Sequence, residues 1–170
     1  FITPQTSTIE TRYRQAFEKG NLNVDSSLTR DTLGDKQFRG YLSINGDFNL
    51  DNGYILNYNI ERVSDSAYLG DYGYTAQNEL SSGLNYSQVR SDRFVETSLG
   101  VIQSLYKEDK DNLTLTTNNY YDRIIDQKFV PGSLSFNSEL VASWRKGSED
   151  IVGRDVARFA NQLNWNNTSI

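Results

Sequence analysis

Alternation of apolar and polar side chains, sustained for about ten residues at a time, most limits what this chain can fold into. In GYLSINGDFNL, residues 40–50, the even positions are apolar or small and most odd positions are polar. Successive side chains of a β-strand point to opposite faces, so the segment predicts a strand with one apolar face. The alternation recurs in residues 9–17, 22–28, 54–60, 80–86, 95–105, 134–144 and 159–165.

Turn signals between these stripes predict consecutive antiparallel hairpins. The pair Asn52-Gly53 supplies the positive φ angles of a tight hairpin turn. Short connections at 18–20, 51–53, 90–92 and 130–132 alternate with longer ones at 31–36, 65–78, 107–112 and 146–155. We therefore predict an all-β fold, an antiparallel meander of about nine long strands. Residues 1–170 form a single segment of one domain in this interpretation, with no separate second domain.

Strand length and loop size favour a transmembrane barrel over a soluble sheet. Globular strands mostly have ~5–6 residues, whereas a tilted strand needs ~9–11 residues to cross a bilayer. Long loops at one end and short turns at the other are typical of outer-membrane barrels. Aromatic residues near strand ends could form interfacial girdles: Phe17, Tyr54, Tyr106, Trp144 and Trp165. Soluble sandwiches and lectin-like sheets also alternate, so this alternative stays open on the pattern alone.

Composition excludes several kinds of chemistry. The chain has no cysteine and no histidine, which excludes disulfides, thiol catalysis and histidine as a base or zinc ligand. A net charge of −5 without a basic block argues against a nucleic-acid partner. The acidic runs at 108–112 and 149–150 could suggest calcium, but the first lacks the glycine and terminal glutamate of an EF-hand loop and is better explained as a solvated hairpin tip. No phosphate-binding or nucleophile motif is present, and we expect no catalytic residue, cofactor or metal.

One stretch, ERVSDSAYLGDYGY at residues 61–74, interrupts the alternation. Its residues Ser64, Asp65, Tyr68 and Leu69 resemble the signature of the LptD family of lipopolysaccharide-assembly proteins, also called organic solvent tolerance proteins. Ser66 stands where the family typically has a second aspartate. Other segments agree in order with the family: FITP at 1–4, YRQ at 13–15, FRGYL at 38–42, QSL at 103–105 and GRDV at 153–156. The resemblance is to alphaproteobacterial members in particular.

The resemblance implies a place in the cell outer membrane of a Gram-negative bacterium. LptD proteins have a periplasmic jelly roll, which receives lipopolysaccharide from an LptA-like bridge, and a barrel plugged by an LptE-like lipoprotein. The barrel opens laterally between its first and last strands and releases lipopolysaccharide among the outer-membrane lipids. This chain would be about the N-terminal third of that barrel, as an excerpt of a longer protein. Alone, we expect it to form an open, curved sheet or to aggregate.

The resemblance also suggests functional residues. Pro4, Ile9, Thr11 and Tyr13 would border the lateral gate, and Pro4 would weaken pairing there because proline donates no ladder hydrogen bond. Since arginine pairs bidentately with phosphate, the candidate lumenal phosphate contacts are Arg12, Arg14 and Arg39, with ion pairs to neighbouring carboxylates as the alternative for each. The alternative function is a porin-like channel or another β-rich, adhesin-type surface protein.

Overall fold

A computed structural model describes residues 6–31, 37–75, 77–106, 113–125, 132–144 and 155–167. The described residues form nine strands: β1 (Thr6–Phe17), β2 (Gly20–Asp31), β3 (Phe38–Asn49), β4 (Tyr54–Val63), β5 (Glu79–Val89), β6 (Arg93–Ser104), β7 (Leu113–Ile125), β8 (Gly132–Trp144) and β9 (Val156–Asn166). They pair in chain order as one antiparallel sheet, with β1 and β9 at its edges. The prediction of an all-β meander is therefore confirmed, as an open sheet.

The turns follow from local sequence. Asn52 and Gly53, in a single 3₁₀ turn at Asp51–Gly53, have φ angles of 62° and 76°, so the predicted positive-φ turn is confirmed. The β1–β2 turn needs only residues 18–19, since Phe17 pairs with Gly20. The connection predicted at 130–132 belongs mostly to residues outside the described part, and Gly132 already begins β8.

The register places the predicted apolar stripes on one face of the sheet, except for Leu80 and Leu105 at the ends of two stripes, which are buried in a cluster with Tyr68 and Leu69. Directly opposed residues of antiparallel strands share a face, and the opposed pairs include Ile9 with Leu28, Val24 with Ile44, Leu84 with Leu99, Phe136 with Leu163 and Leu140 with Phe159. We call this side the apolar face. The other side, the polar face, carries among others Glu10, Arg12, Asp25, Ser43, Asn59, Glu96, Asn118 and Glu139.

The apolar face of this sheet has no covering layer among the described residues. The apolar face is exposed, with Ile9 and Leu163 70% and 67% accessible. The chain exposes 12248 Å², against about 8,500 Å² for a compact monomer of the same mass. Among the described residues, the buried hydrophobic side chains are Tyr68, Leu69, Leu80 and Leu105. Their cluster is built around the loop that joins β4 to β5, and Tyr41 of the polar face packs against it.

The strands slip steadily along one another across the sheet. Successive pairings lead from Phe17, the last residue of β1, to Ser138, six residues after the start of β8. If the short turns share one level, this slip over seven strand spacings corresponds to a strand tilt of about 30°. Closed barrels tilt their strands by ~35–45°, so the register has nearly the stagger that a barrel needs.

Aromatic rings gather on the apolar face near the short turns. The ring centroids of Phe17 and Phe48 lie 5.7 Å apart, those of Phe48 and Tyr58 6.3 Å, and those of Tyr54 and Tyr86 4.9 Å. At the opposite ends of the strands, Phe38 and Trp144 occupy the same face. No helix in the described ranges has the length and apolar character that crossing a membrane would require.

Candidate functional site

The β4–β5 loop, residues 64–78 with residue 76 outside the described part, lies on the polar face and contributes Tyr68 and Leu69 to the buried cluster. It begins by extending the β3–β4 pairing, because the Ser64 amide donates to the Gly40 carbonyl at 2.9 Å and the Gly40 amide donates to the Ser64 hydroxyl at 3.0 Å. Asp65 accepts from the Ala67 amide at 3.2 Å. This turn leads into the single helical turn α1 (Tyr68–Asp71).

Arg39 anchors the loop to β3. Its Nε and Nη2 donate to the two oxygens of Asp65 at 2.9 and 2.7 Å, and Nη2 also donates to Asp71 at 2.8 Å. Its guanidinium carbon lies 5.4 Å from the ring centroid of Tyr68 and 5.6 Å from that of Tyr72. Hydrogen bonding from Arg39 lowers the pKa of Asp65 to about 2. A fork that pairs two carboxylates and stacks on two rings can be supplied only by arginine.

Tyr68 anchors the loop to β2. Its side chain is completely buried, its hydroxyl donates to the Ser27 hydroxyl at 3.0 Å, and a 2.8 Å hydrogen bond joins it to the Thr29 hydroxyl. The adjacent Leu69 is buried in the same cluster. A buried phenol needs such partners because an unpaired hydroxyl would lose its water without compensation.

Tyr74 connects the loop to the edge strand β1. Its hydroxyl donates to a carboxylate oxygen of Glu10, and its ring stacks on Tyr41 and Tyr68 with centroids 6.3 and 5.9 Å apart. Burial and then the hydrogen bond to Glu10 raise the pKa of Tyr74 to about 12. The loop thus contacts β1, β2 and β3, although it is connected to β4 and β5.

An open cavity of about 590 Å³ lies between the loop and the polar face of β1–β4. Its charged lining consists of Glu10, Asp25 and Glu61 against the single cation Arg12, and the rest is mostly hydroxyl, amide and aromatic: Thr11, Ser26, Ser27, Tyr41, Ser43, Leu69, Tyr74, Thr75 and Gln77. Such a surface offers hydrogen bonds to a polar ligand and carries an excess of carboxylates.

The three predicted phosphate-binding arginines differ in their surroundings. Arg12 pairs with Asp25 of the neighbouring strand, Nε to Oδ1 at 2.5 Å, and Arg39 is occupied by Asp65 and Asp71. Arg14 has no hydrogen-bond or ion-pair partner among the described residues and is exposed. The ion-pair alternative therefore describes Arg12 and Arg39, while phosphate binding stays a prediction for all three.

The predicted gate residues fall on the edge of the sheet. Ile9, Thr11 and Tyr13 lie on the apolar face of β1, which pairs on one side with β2. Pro4 lies outside the described residues. The four signature residues Ser64, Asp65, Tyr68 and Leu69 are brought together in the anchored loop. The sheet residues that bond to this loop, Ser27 and Thr29 to Tyr68 and Glu10 to Tyr74, were not predicted, because single polar residues on alternating strands carry no distinguishing signal.

In the described part of the chain, no group of three or more acidic side chains could hold a metal ion. The acidic runs at 108–112 and 149–150 lie outside it. Comparison with models of known protein families, with curated proteins and with solved structures gave no significant match.

Proposed function

We propose that this chain is part of an outer-membrane β-barrel that inserts lipopolysaccharide into the outer leaflet through a lateral opening. The observation that carries the proposal is the uncovered apolar face of the sheet. Ile9, Phe159 and Leu163 face outward without cover, whereas Ser27, Thr29 and Arg39 are buried on the polar face. A sheet of this kind suits a lipid surround and a wet interior.

The register and the aromatic residues support a spanning arrangement. The strands have 10 to 13 residues, which matches the ~9–11 residues of a tilted transmembrane strand. The slip along the sheet corresponds to a tilt of about 30°, a little below the ~35–45° of closed barrels. Aromatic side chains on the apolar face at both strand ends, such as Phe17 and Trp144, suit the two interfaces of a bilayer.

The assignment to lipopolysaccharide transport rests on the family resemblance of the β4–β5 loop. Its signature residues Asp65 and Tyr68 make the contacts that hold it on the polar face. In the proposal the polar interior accommodates the charged head of lipopolysaccharide, with Arg14 best placed to offer its guanidinium to a phosphate. The acyl tails leave beside Ile9 and Tyr13 at the β1 edge. No covalent bond is made or broken, and an LptE-like lipoprotein and an LptA-like bridge are the proposed partners.

A porin-like channel is the second candidate, because a loop folded over the polar face beside an open cavity would also suit a pore constriction. A soluble adhesin-type sheet is the third. The three differ in which face meets lipid and in whether lipopolysaccharide enters the interior.

Single cysteines test the membrane arrangement, and the chain contains none of its own. Leu99→Cys and Phe136→Cys should resist a water-soluble maleimide in bilayers, whereas the neighbouring Ser98→Cys and Ser135→Cys should react. If the apolar face meets water instead of lipid, both sets would react equally, and that result would reject the membrane arrangement.

Photo-crosslinking in cells tests the transport function in the intact polypeptide that carries these residues. A benzophenone amino acid at position 12, on the polar face, should crosslink to lipopolysaccharide, and so should one at position 13 beside the proposed gate. Position 136, on the apolar face far from β1, controls for the lipopolysaccharide that surrounds any outer-membrane protein. A porin would give no adduct at position 12, and that result would reject the transport proposal while keeping the membrane arrangement.

A further inference from the structure

The β4–β5 loop has one strong and one weak attachment to the sheet. The strong attachment joins Arg39, Asp65, Asp71 and the buried Tyr68. The weak one is the contact of Tyr74 with Glu10, where the Tyr74 side chain is partly exposed. Because a buried network is harder to open than a solvated hydrogen bond, the Tyr74 end should release first.

The weak attachment lies where the sheet has least support. β1 is an edge strand in the described part, and two other cross-strand side-chain hydrogen bonds of β1, Thr8 to Thr29 and Arg12 to Asp25, reach its neighbour β2. Tyr74 ties β1 instead to a loop connected to β4 and β5. Breaking this contact would leave the Glu10 region held by β2.

The same two residues line the cavity. Glu10 forms part of its floor and Tyr74 part of its roof, with Arg12 and Asp25 beside them. A polar ligand that enters the cavity therefore meets the contact that holds the edge strand. The cavity and the edge are physically linked through one hydrogen bond and the stacking of Tyr74 on Tyr41.

We propose that the Tyr74–Glu10 contact is a latch, through which the β4–β5 loop holds the edge strand β1 in place, and that a ligand occupying the cavity releases it. The latch deepens the proposed function, since it assigns to the polar cavity the control of the edge through which lipid would leave. Its mechanical part needs no lipopolysaccharide and can be measured on its own.

Hydrogen exchange tests the latch in the intact polypeptide in lipid nanodiscs. Tyr74→Phe removes the hydroxyl and keeps the stacked ring. We expect the amides of β1 around Glu10 to exchange about fivefold faster, with β6–β9 unchanged. Tyr86→Phe is the matched control, because the Tyr86 hydroxyl has no hydrogen-bond partner among the described residues. Unchanged β1 exchange, or equal acceleration in both variants or in all strands, would overturn the proposal.

A locked variant gives the opposite test. Glu10→Cys with Tyr74→Cys, joined by a bismaleimide of matching length, should slow β1 exchange relative to the same double variant left unlinked. If the linked protein exchanges as fast as the unlinked one, the loop does not hold the edge. Photo-crosslinking of lipopolysaccharide at position 12 separates this outcome from failure of the proposed function, because the latch can fail while the adduct still forms.

Discussion

At the scale of single residues, Arg39 determines whether the β4–β5 loop keeps its place. It is 9% exposed and concentrates two ion pairs and two ring contacts on one guanidinium. Removing one partner of such a group leaves the others buried without compensation. The exposed pair of Arg12 and Asp25 resembles it chemically, yet water solvates both members.

Replacing Arg39 with lysine therefore separates charge from geometry. We expect Arg39→Lys to lower the free energy of unfolding by about 2 kcal/mol, because an ammonium group keeps the charge but loses the fork and the stacking. Arg12→Lys should cost less than about 0.5 kcal/mol. Urea unfolding followed by tryptophan fluorescence in detergent micelles measures both, and equal losses would contradict the central role of Arg39.

The pKa of Asp65 predicts how low pH affects the stability of the loop. Its pKa is lowered from 3.8 to about 2, chiefly by hydrogen bonding from Arg39. Because the pKa of Asp65 is lower in the folded state than in the unfolded state, its ionised form stabilises the fold at any pH above the unfolded-state value. This stabilisation is lost as the pH falls towards the folded-state value. We expect a loss of about 2 kcal/mol between pH ~4 and ~2.

Asp65→Asn should remove this part of the acid dependence and lower stability at pH 7. The comparison is made by urea unfolding at pH 2, 4 and 7. If wild type and variant lose the same free energy between pH 4 and 2, other carboxylates cause the acid response.

At the scale of elements, the stripe residues were predictable because a period of two leaves little choice of face. The alternation is weakest in β7, whose apolar side also carries Asn119 and Arg123. This strand was predicted only because a connection lies on either side of it. The loop was recognisable as a break in the alternation and as a signature. Its place on the polar face was not, because the partners of Tyr68 and Tyr74 lie 39 to 64 residues away in sequence.

Close packing between β3 and β4 gives a prediction about an element. A Cβ on Gly46 would lie 2.6 Å from the Cζ and Oη atoms of Tyr58, its directly opposed residue. We expect Gly46→Ala to cost about 1–3 kcal/mol, because the ring must leave its place. Gly70→Ala is the control, since a Cβ there has no neighbour within 4 Å. The double variant Gly46→Ala with Tyr58→Leu should recover most of the lost stability. If it does not, the strain lies in the backbone and not in the contact with the ring.

At the scale of the whole molecule, the exposed apolar face and two open edges set the conditions in which the chain is soluble. Large apolar patches associate in water, and open strand edges add further strands. We expect the isolated chain to form polydisperse assemblies without detergent and a monodisperse species in detergent micelles. Light scattering makes the measurement, and a monodisperse, detergent-free monomer would contradict the membrane interpretation.

The uncovered apolar face also affects which positions tolerate substitution. In most proteins, buried apolar positions tolerate few substitutions and exposed polar positions tolerate many. In the proposed membrane arrangement, a lipid-facing residue such as Leu99 needs only to remain apolar, so we expect most aliphatic or aromatic side chains of moderate size to be tolerated there. Serine and threonine at positions 27 and 29 instead contact one particular phenol and admit few replacements. Homologous sequences should therefore differ most at the positions of the apolar face and least at the buried positions 27 and 29.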